Sequence, residues 1–438
     1  MRTYIDPFNQ RQLMKNNLSF KNITAIIMGN AIEWYDYFVY SFLSVYLAKI
    51  FFPSSNELNS LLAITATFGA AFFMRPLGGI VLGMVADKYG RIRAMNWSIA
   101  LMTLALALIT FAPTYNKVGV IAPCIVLFAR LIQGFSAGGE CGVSPVILFE
   151  SSPADKRGLY CSLHTFSQMV AVFLSLGIGV LLAKYLSIPQ IEDWGWRIPF
   201  FIGLIIIPVG VYIRRCVKEP LAIVPTSSKK SLLRTTQHNR RNLLIVTGLV
   251  SGGTVAMYVL LSYMPTYVTM YLHLDAFDAY SSSLIGVGLM IVFIPYFGWL
   301  SDKVGRKSLV LLSMLCCFSE LYPCFLWLNA APSFQRLVMV QCIICFPLAM
   351  YYGAIQAAIT EIFPFNVRST CLSLSVNVSV LLFGSFAQFF VTLFIKLFDN
   401  PLAVTIYPLA GIAISILSVL MYQEHRESDV IANKVMAG

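Results

Sequence analysis

The chain has 438 residues, of which 58% are hydrophobic and only 12% charged, with a mean hydropathy of +0.75. A soluble domain of this size cannot cover that much apolar surface, and soluble chains carry roughly twice the charge, so composition excludes a soluble globular protein. The formal net charge of +11 does not call for nucleic acid, because Lys and Arg gathered in short loops are what membrane topology demands.

Residues 1–21 are polar and basic, with Arg2, Arg11, Lys15 and Lys21, and lack the short apolar core of a cleaved signal. The first helix is therefore expected to act as an uncleaved insertion signal. Beyond it the chain divides into twelve apolar spans, each long enough to cross a hydrocarbon core of roughly 30 Å as a helix. In the first half they are about 22–46, 61–84, 94–113, 120–148, 159–184 and 196–215. In the second half they are about 242–271, 280–300, 308–328, 336–360, 371–396 and 402–422. The pattern predicts an all-α membrane protein of two six-helix halves, 22–215 and 242–422. A linker, 216–241, joins them, and a short tail, 423–438, follows.

Basic residues cluster after the second span (Lys88, Arg91, Arg93), after the fourth (Lys156, Arg157), in the linker, and after the eighth (Lys303, Arg306, Lys307). The opposite loops lean acidic, with Glu57, Glu192, Asp193 and Asp275. Both termini are thus expected on the cytoplasmic side. Six helices per half give the two copies the same orientation, as in parallel repeats.

The chain also writes one pair of loops twice. GMVADKYGR carries Gly83, Asp87, Gly90 and Arg91; GWLSDKVGR carries Gly298, Asp302, Gly305 and Arg306, offset by 215 residues. Glu150, Pro153 and Arg157 recur as Glu361, Pro364 and Arg368, offset by 211. Two motif pairs at nearly one offset mark homologous halves, and in an apolar chain they point to a transporter built around a central path. An Asp beside basic residues can pair with a neighbouring helix and be released when the halves rock. Asp87, Arg91, Asp302 and Arg306, with Glu150, Arg157, Glu361 and Arg368, therefore read as a conformational latch.

A charge near mid-membrane costs at least roughly 2.5–3.5 kcal/mol unless paired or wet, so each one within a span needs a reason. Glu33 and Asp36 lie three apart on one face of the first span. Glu33 is about 12 residues in, or roughly 18 Å of rise. Arg75 in the second span and Arg130 in the fourth sit at comparable depth. The functional reading gives Arg75 or Arg130 a substrate carboxylate and Glu33 or Asp36 a coupling proton; the alternative is a permanent structural ion cluster. Gly134, Gly138 and Gly142 form a groove for close helix packing. His164 reads as a satisfied polar group at a cavity mouth rather than a proton relay.

The second half is poorer in charge. Glu320, in the ninth span, is its one deeply placed acid and reads equally as a proton-coupling acid or the occupant of a small polar pocket. Tyr258, Tyr263, Tyr267 and Tyr271 line the seventh span, which Pro265 should bend. Of these, Tyr258 is the candidate for substrate contact, joined by Gln356; Asn377 and Gln388 are further polar candidates for the cavity wall. The ten cysteines show no metal-ligand spacing and read as small buried hydrophobes. No P-loop or triad pattern is present, so the chain reads as neither an ATP-driven pump nor an enzyme, and no cofactor is called for beyond a coupling ion.

The glycine–Asp–basic loops resemble the signature of the major facilitator superfamily. GNAIEWYDYFVY (29–40), FMRPLGG (73–79), RLIQGFSAGGE (130–140) and DWGWRIPFF (193–201) narrow the resemblance to its metabolite:proton symporter family. YVLLSYMPTYV (258–268) looks closest to the proline/betaine branch, whereas GFSAG and EIFPFNVR suit the citrate branch equally. The resemblance implies uptake of a small carboxylate-bearing solute with a proton by alternating access, in a bacterial inner membrane, by a monomer. The choice of proton over sodium rests on the resemblance alone. There are two departures. The chain ends about 16 residues after the last span, which leaves no room for the coiled-coil tail of osmosensing members. Arg130 also stands where the proline/betaine branch suggests Lys, and a guanidinium holds a carboxylate by two parallel hydrogen bonds, which favours organic acids. A proton-driven exporter of drugs or siderophores on the same fold is the alternative.

Overall fold

A computed structural model describes residues 20–89, 91–138, 143–150, 152–205, 239–364 and 367–424. In lipid every backbone N–H and C=O must be satisfied within its own segment, so the apolar spans fold as helices. In the first half these are α1 (Phe20–Phe42, continued by Ser44–Phe51), α2 (Glu57–Tyr89), α3 (Arg91–Thr110), α4 (Ile121–Gly138, followed by Val143–Glu150), α5 (Arg157–Tyr185) and α6 (197–205). The second half contains α7 (Arg240–Val255, then Ala256–Leu261 and Met264–Tyr271), α8 (Ala276–Val304), α9 (Arg306–Ala330) and α10 (Phe334–Glu361). It closes with α11 (Arg368–Ser379, then Val380–Gly384 and Ala387–Phe398) and α12 (Ile406–Met421).

Where its residues are described, each of the twelve expected spans falls largely on helix, and nine helical stretches among the described residues are at least 18 residues long and apolar enough to cross a membrane. The chain is a multi-pass membrane protein. Its outer wall exposes Trp97, Phe111, Val292 and Leu397, which suits lipid and not water. The expected linker, 216–241, lies almost wholly outside the described residues, as do Glu140 and Gly142.

Small residues set the helix spacing. A Cβ on Gly134 would fall on the Ala71 carbonyl, and one on Gly138 on the Arg75 carbonyl. The expected groove therefore seats α2 against α4 and brings Arg75 and Arg130 onto neighbouring helices. The two halves meet where α5 packs on α8 and α10, and where the end of α11 packs on α2.

α7 and α11 each widen by one π-type turn, at Ala256–Leu261 and Val380–Gly384. Such turns displace side chains that a regular helix would place elsewhere. Here they meet: a Cβ on Gly384 would lie 2.8 Å from the ring of Tyr258.

Candidate functional site

At the end of the bundle that carries the D-K-x-G-R loops, the latch residues converge across the halves. The Asp302 carboxylate accepts the backbone N–H of Gly158 at 2.7 Å and of Leu159 at 3.1 Å. It thereby caps the first turn of α5, where unpaired N–H groups and the helix dipole favour an anion. Gly158 and Gly298 permit this approach, since a Cβ on Gly158 would lie 2.5 Å from the Gly298 carbonyl oxygen. Arg306 pairs with Glu361 and reaches Asp302 at 3.4 Å. Glu361 also accepts from Tyr422, and the Arg306 backbone donates to Glu424 at 2.8 Å.

A second bridge crosses the halves here. Arg368 donates to Glu150 at 2.8 Å, and the Arg157 and Arg368 guanidiniums lie 4.7 and 4.9 Å from the Phe149 ring. Burial pushes the Glu150 carboxyl above its usual range, and the hydrogen bond and charge of Arg368 pull part of the way back. The side chains of Asp87 and Arg91 lie outside the described residues.

Midway along the bundle lie the buried charges of the first half. Arg130 is fully buried. Its Nη1 donates to Gln133 Oε1 at 2.6 Å, and Gln133 Nε2 in turn donates to Asp36 Oδ2. The acid and the base are thus joined through an amide that accepts from one and donates to the other. Aromatic faces complete the guanidinium's surroundings. Tyr40 lies 4.4 Å, Tyr37 4.9 Å and Phe68 5.1 Å from it, distances at which ring quadrupoles attract a cation. Arg75 sits beside the same wall, 4.5 Å from Phe72 and 5.0 Å from Tyr37.

Among the described residues, Asp36 Oδ1 and Arg130 Nε and Nη2 are buried without a hydrogen-bond partner. Nε and Nη2 share one edge of the guanidinium, the edge that grips a carboxylate with two parallel bonds. Tyr258 of α7 closes the wall from the second half, its ring 5.9 Å from Phe68 and 5.5 Å from Phe72. The site therefore lies at the seam between the halves.

Beyond the site, at the end away from the latch, the seam is closed by neutral groups. Ser262 donates to Ser41 at 2.6 Å, Gln388 Nε2 donates to Ser41 at 2.6 Å, and Ser44 and Thr266 share a hydrogen bond of 3.0 Å. Tyr280 donates to the Phe42 carbonyl at 2.7 Å. Near the rim, Lys396 donates to Asn59 at 2.8 Å, and a cleft of about 240 Å³ opens beside Lys49, Glu57, Ser60 and Met270.

Arg75, Arg130, Asp36 and Tyr258 are therefore brought together. Glu33 lies on α1 three residues before Asp36, but its side chain is outside the described residues. Glu320 sits on α9, which packs on α10 and α12. It is half-buried, one turn from the buried Cys317 and Cys324, and its Oε1 is buried without a hydrogen-bond partner among the described residues. It stands on a different helix from the side chains gathered around Arg130. Gln356 is half-buried toward the loop end of α10, between Tyr352 and Glu361. Tyr263 and Tyr267 are held by Thr392 and Asn329 within the second half. His164 is not the satisfied group expected, since its Nδ1 is buried without a partner among the described residues. Sequence reasoning missed Gln133, Tyr37 and Tyr40. Gln133 was findable, because a buried amide one turn beyond an intramembrane Arg shares its helix face.

The sequence profile of the Major Facilitator Superfamily matches residues 26–387. The citrate-proton symporter of Salmonella typhi is 36% identical over 383 residues, covering 86% of this chain and 88% of that protein. The proline/betaine transporter of Escherichia coli K12 is 34% identical over 382 residues, covering 83% and 75%. The alpha-ketoglutarate permease of the same organism is 33% identical over 386 residues, covering 84% and 86%. In fold, the chain superposes on the xylose transporter XylE of E. coli, in a partially occluded inward-open conformation. The TM-score is 0.71 over 92% of this chain and 96% of that one; at 18% identity this speaks for architecture alone. Duplicated latch, charged seam, sequence profile and relatives agree: the chain belongs to the Major Facilitator Superfamily and is a secondary transporter, not an enzyme.

Proposed function

We propose that the chain imports a small carboxylate-bearing solute together with a proton, with Arg130 holding the carboxylate and Asp36 carrying the proton. The observation that carries this reading is the unpartnered Nε–Nη2 edge of a fully buried guanidinium. A buried donor pair left unmade is costly, and a carboxylate satisfies both donors at once. The proteins similar to this chain include transporters named for citrate, proline/betaine and alpha-ketoglutarate, and every one of these solutes carries a carboxylate.

Gln133 supplies the coupling. It touches Arg130 with its oxygen and Asp36 with its nitrogen. A carboxylate arriving on Arg130 competes for the guanidinium's charge and weakens its hold on Asp36 through the amide, which favours protonation of Asp36. With both bound, the proton on Asp36 offsets the charge of the carboxylate group on Arg130, and the halves can rock. Arg75 and Tyr258 line the solute, and Glu33, three residues before Asp36 on α1, is a second candidate acid. The latch residues hold the loop end shut until the site is filled. In this reading the loop end and both termini face the cytoplasm of a bacterial inner membrane. The rocking bodies are 22–215 and 242–422, joined by 216–241, and one chain suffices.

Uptake of labelled citrate, proline, betaine and 2-oxoglutarate into proteoliposomes, with and without an imposed proton gradient, tests the proposal. At least one solute is expected to accumulate with the gradient, and Arg130→Ala is expected to lower its apparent affinity roughly tenfold to a hundredfold. Uptake indifferent to both the gradient and Arg130 overturns the proposal.

A further inference from the structure

Gln388 is 1% exposed and lies where three helices of both halves meet. Its Nε2 donates to Ser41 of α1 at 2.6 Å, to the Tyr258 carbonyl of α7 at 3.2 Å and to Ser262 at 3.3 Å. The Tyr258 carbonyl only accepts, so it fixes which end of the amide is nitrogen. A flipped amide would set two acceptor oxygens against each other. The oxygen, Oε1, is then left buried with no hydrogen-bond partner among the described residues.

This orphan adjoins the proposed solute site. Ser41 follows Tyr40, whose ring lies 4.4 Å from the Arg130 guanidinium. Tyr258, whose backbone holds the amide, presents its ring to Phe68 and Phe72 on the wall shared with Arg75 and Arg130. The seam thus holds unpartnered donors on Arg130 and an unpartnered acceptor on Gln388. A buried acceptor without a donor is disfavoured, and its complement is an O–H or N–H group.

We infer that Gln388 is a specificity-determining residue that accepts a hydrogen bond from the transported solute, so that the solute carries a hydroxyl or ammonium donor besides its carboxylate. The inference rests on the carboxylate site proposed at Arg130 and narrows it to hydroxy acids and amino or imino acids. Quaternary betaines and keto acids lack the donor and leave Oε1 unpaired. A site built to hydrogen-bond a group rejects the analogue without it far better than an apolar pocket does.

Matched pairs that differ only at the donor test this in proteoliposomes under a proton gradient. The pairs are citrate with tricarballylate, 2-hydroxyglutarate with 2-oxoglutarate, and proline with N,N-dimethylproline. In the pair that is transported, the donor-bearing member is expected to compete roughly tenfold or more better than its partner. Gln388→Met, which keeps the length and removes the acceptor, is expected to bring that ratio to within about threefold of one. A merely structural Gln388 would lower uptake of both members alike and leave the ratio standing. The wild-type ratio decides the matter even where the variant fails to fold. Equal competition by the two members, or preference for the donor-free one, overturns the inference and leaves the carboxylate site intact. No competition by any of the six, with uptake of the native solute unchanged in Arg130→Ala, overturns the carboxylate reading and this inference with it.

Discussion

The two ends of the seam are closed by different chemistry. The loop end is closed by ions: Asp302 on the α5 terminus and Arg368 on Glu150, with Arg306 and Glu361 paired behind them in the second half. Most of the other end is closed by hydroxyls and amides: Ser41, Ser262 and Gln388, then Ser44 and Thr266, then Tyr280 on a carbonyl. Ionic closure near water is strong while dry and weakens once solvent enters, because the interaction falls steeply with dielectric. Neutral hydrogen bonds in an apolar seam are each worth only about 1 kcal/mol net and exchange readily for bonds to a solute. In the proposed cycle the neutral end, which adjoins the buried Arg130, suits opening to admit cargo, whereas the ionic end suits an all-or-none release.

The largest effect expected from breaking this contrast is at Asp302. Its carboxylate accepts two backbone N–H groups of α5 across the seam, its side chain is 5% exposed, and hydrogen bonds to a charged group are worth about 1.5–3 kcal/mol each. Asp302→Ala should therefore favour opening of the loop end. Cys161, fully buried beside Phe149 and Ala357, is a native reporter in a background whose other cysteines are serine. Its labelling by a charged maleimide should rise at least tenfold, by roughly 1.4 kcal/mol or more. Unchanged labelling would mean that the ionic network does not close this end.

A somewhat smaller effect is expected at the helix crossing beneath it. Gly158→Ala sets a Cβ against the Gly298 carbonyl and the Ser301 hydroxyl, and overpacking of this kind costs about 1–3 kcal/mol. Gly177 on the same helix has open space around its Cβ position, so Gly177→Ala is the matched control. Uptake should fall in the first variant and not in the second.

At the neutral end, Ser262→Ala removes one hydrogen bond to Ser41 and should cost about 0.5–1.5 kcal/mol. Its direction is the sharper test, because weakening this end favours the form in which the loop end is shut. Cys161 labelling should fall by a few-fold where Asp302→Ala raises it. A rise in both would dissolve the distinction between the ends.

The smallest effect is a pH dependence at Glu150. Burial raises its carboxyl above the usual range in the closed latch. The closed form therefore binds this proton more tightly than a form in which Glu150 is solvated. As pH falls through the window between the ordinary and the raised value, closure should become slightly more favourable. Inter-loop distances measured against pH should show this drift, and Glu150→Gln should remove it.

Much of this architecture was legible in the sequence because lipid permits so few solutions. Apolar runs gave the spans, and the repeated Asp302 and Glu361 loops marked the latch. The glycine spacing at Gly134 and Gly138 gave the α2–α4 contact. What the residues did not reveal was rotation about each helix axis. In lipid the outward face is as apolar as the packed one, so periodicity does not separate inside from outside. Glu320 has a plausible depth but stands on α9, apart from the helices that carry Arg130, and Gln356 lies near the loop end of α10. Gln388 was a polar candidate by letter and Gln133 was findable beside Arg130, but their places at the junctions depend on where their helices turn. The π-type turns that aim Tyr258 and bring Gly384 against it have no signature in the amino-acid pattern.

The account turns on Asp36 as the proton carrier joined to the solute through Gln133 and Arg130. Asp36→Asn separates transport from coupling, since it preserves an acceptor for Gln133 while removing the titrating group. Reconstituted Asp36→Asn protein should exchange labelled for unlabelled solute across the membrane yet fail to accumulate it under an imposed proton gradient. Gradient-driven accumulation at the wild-type level in that variant would contradict the account.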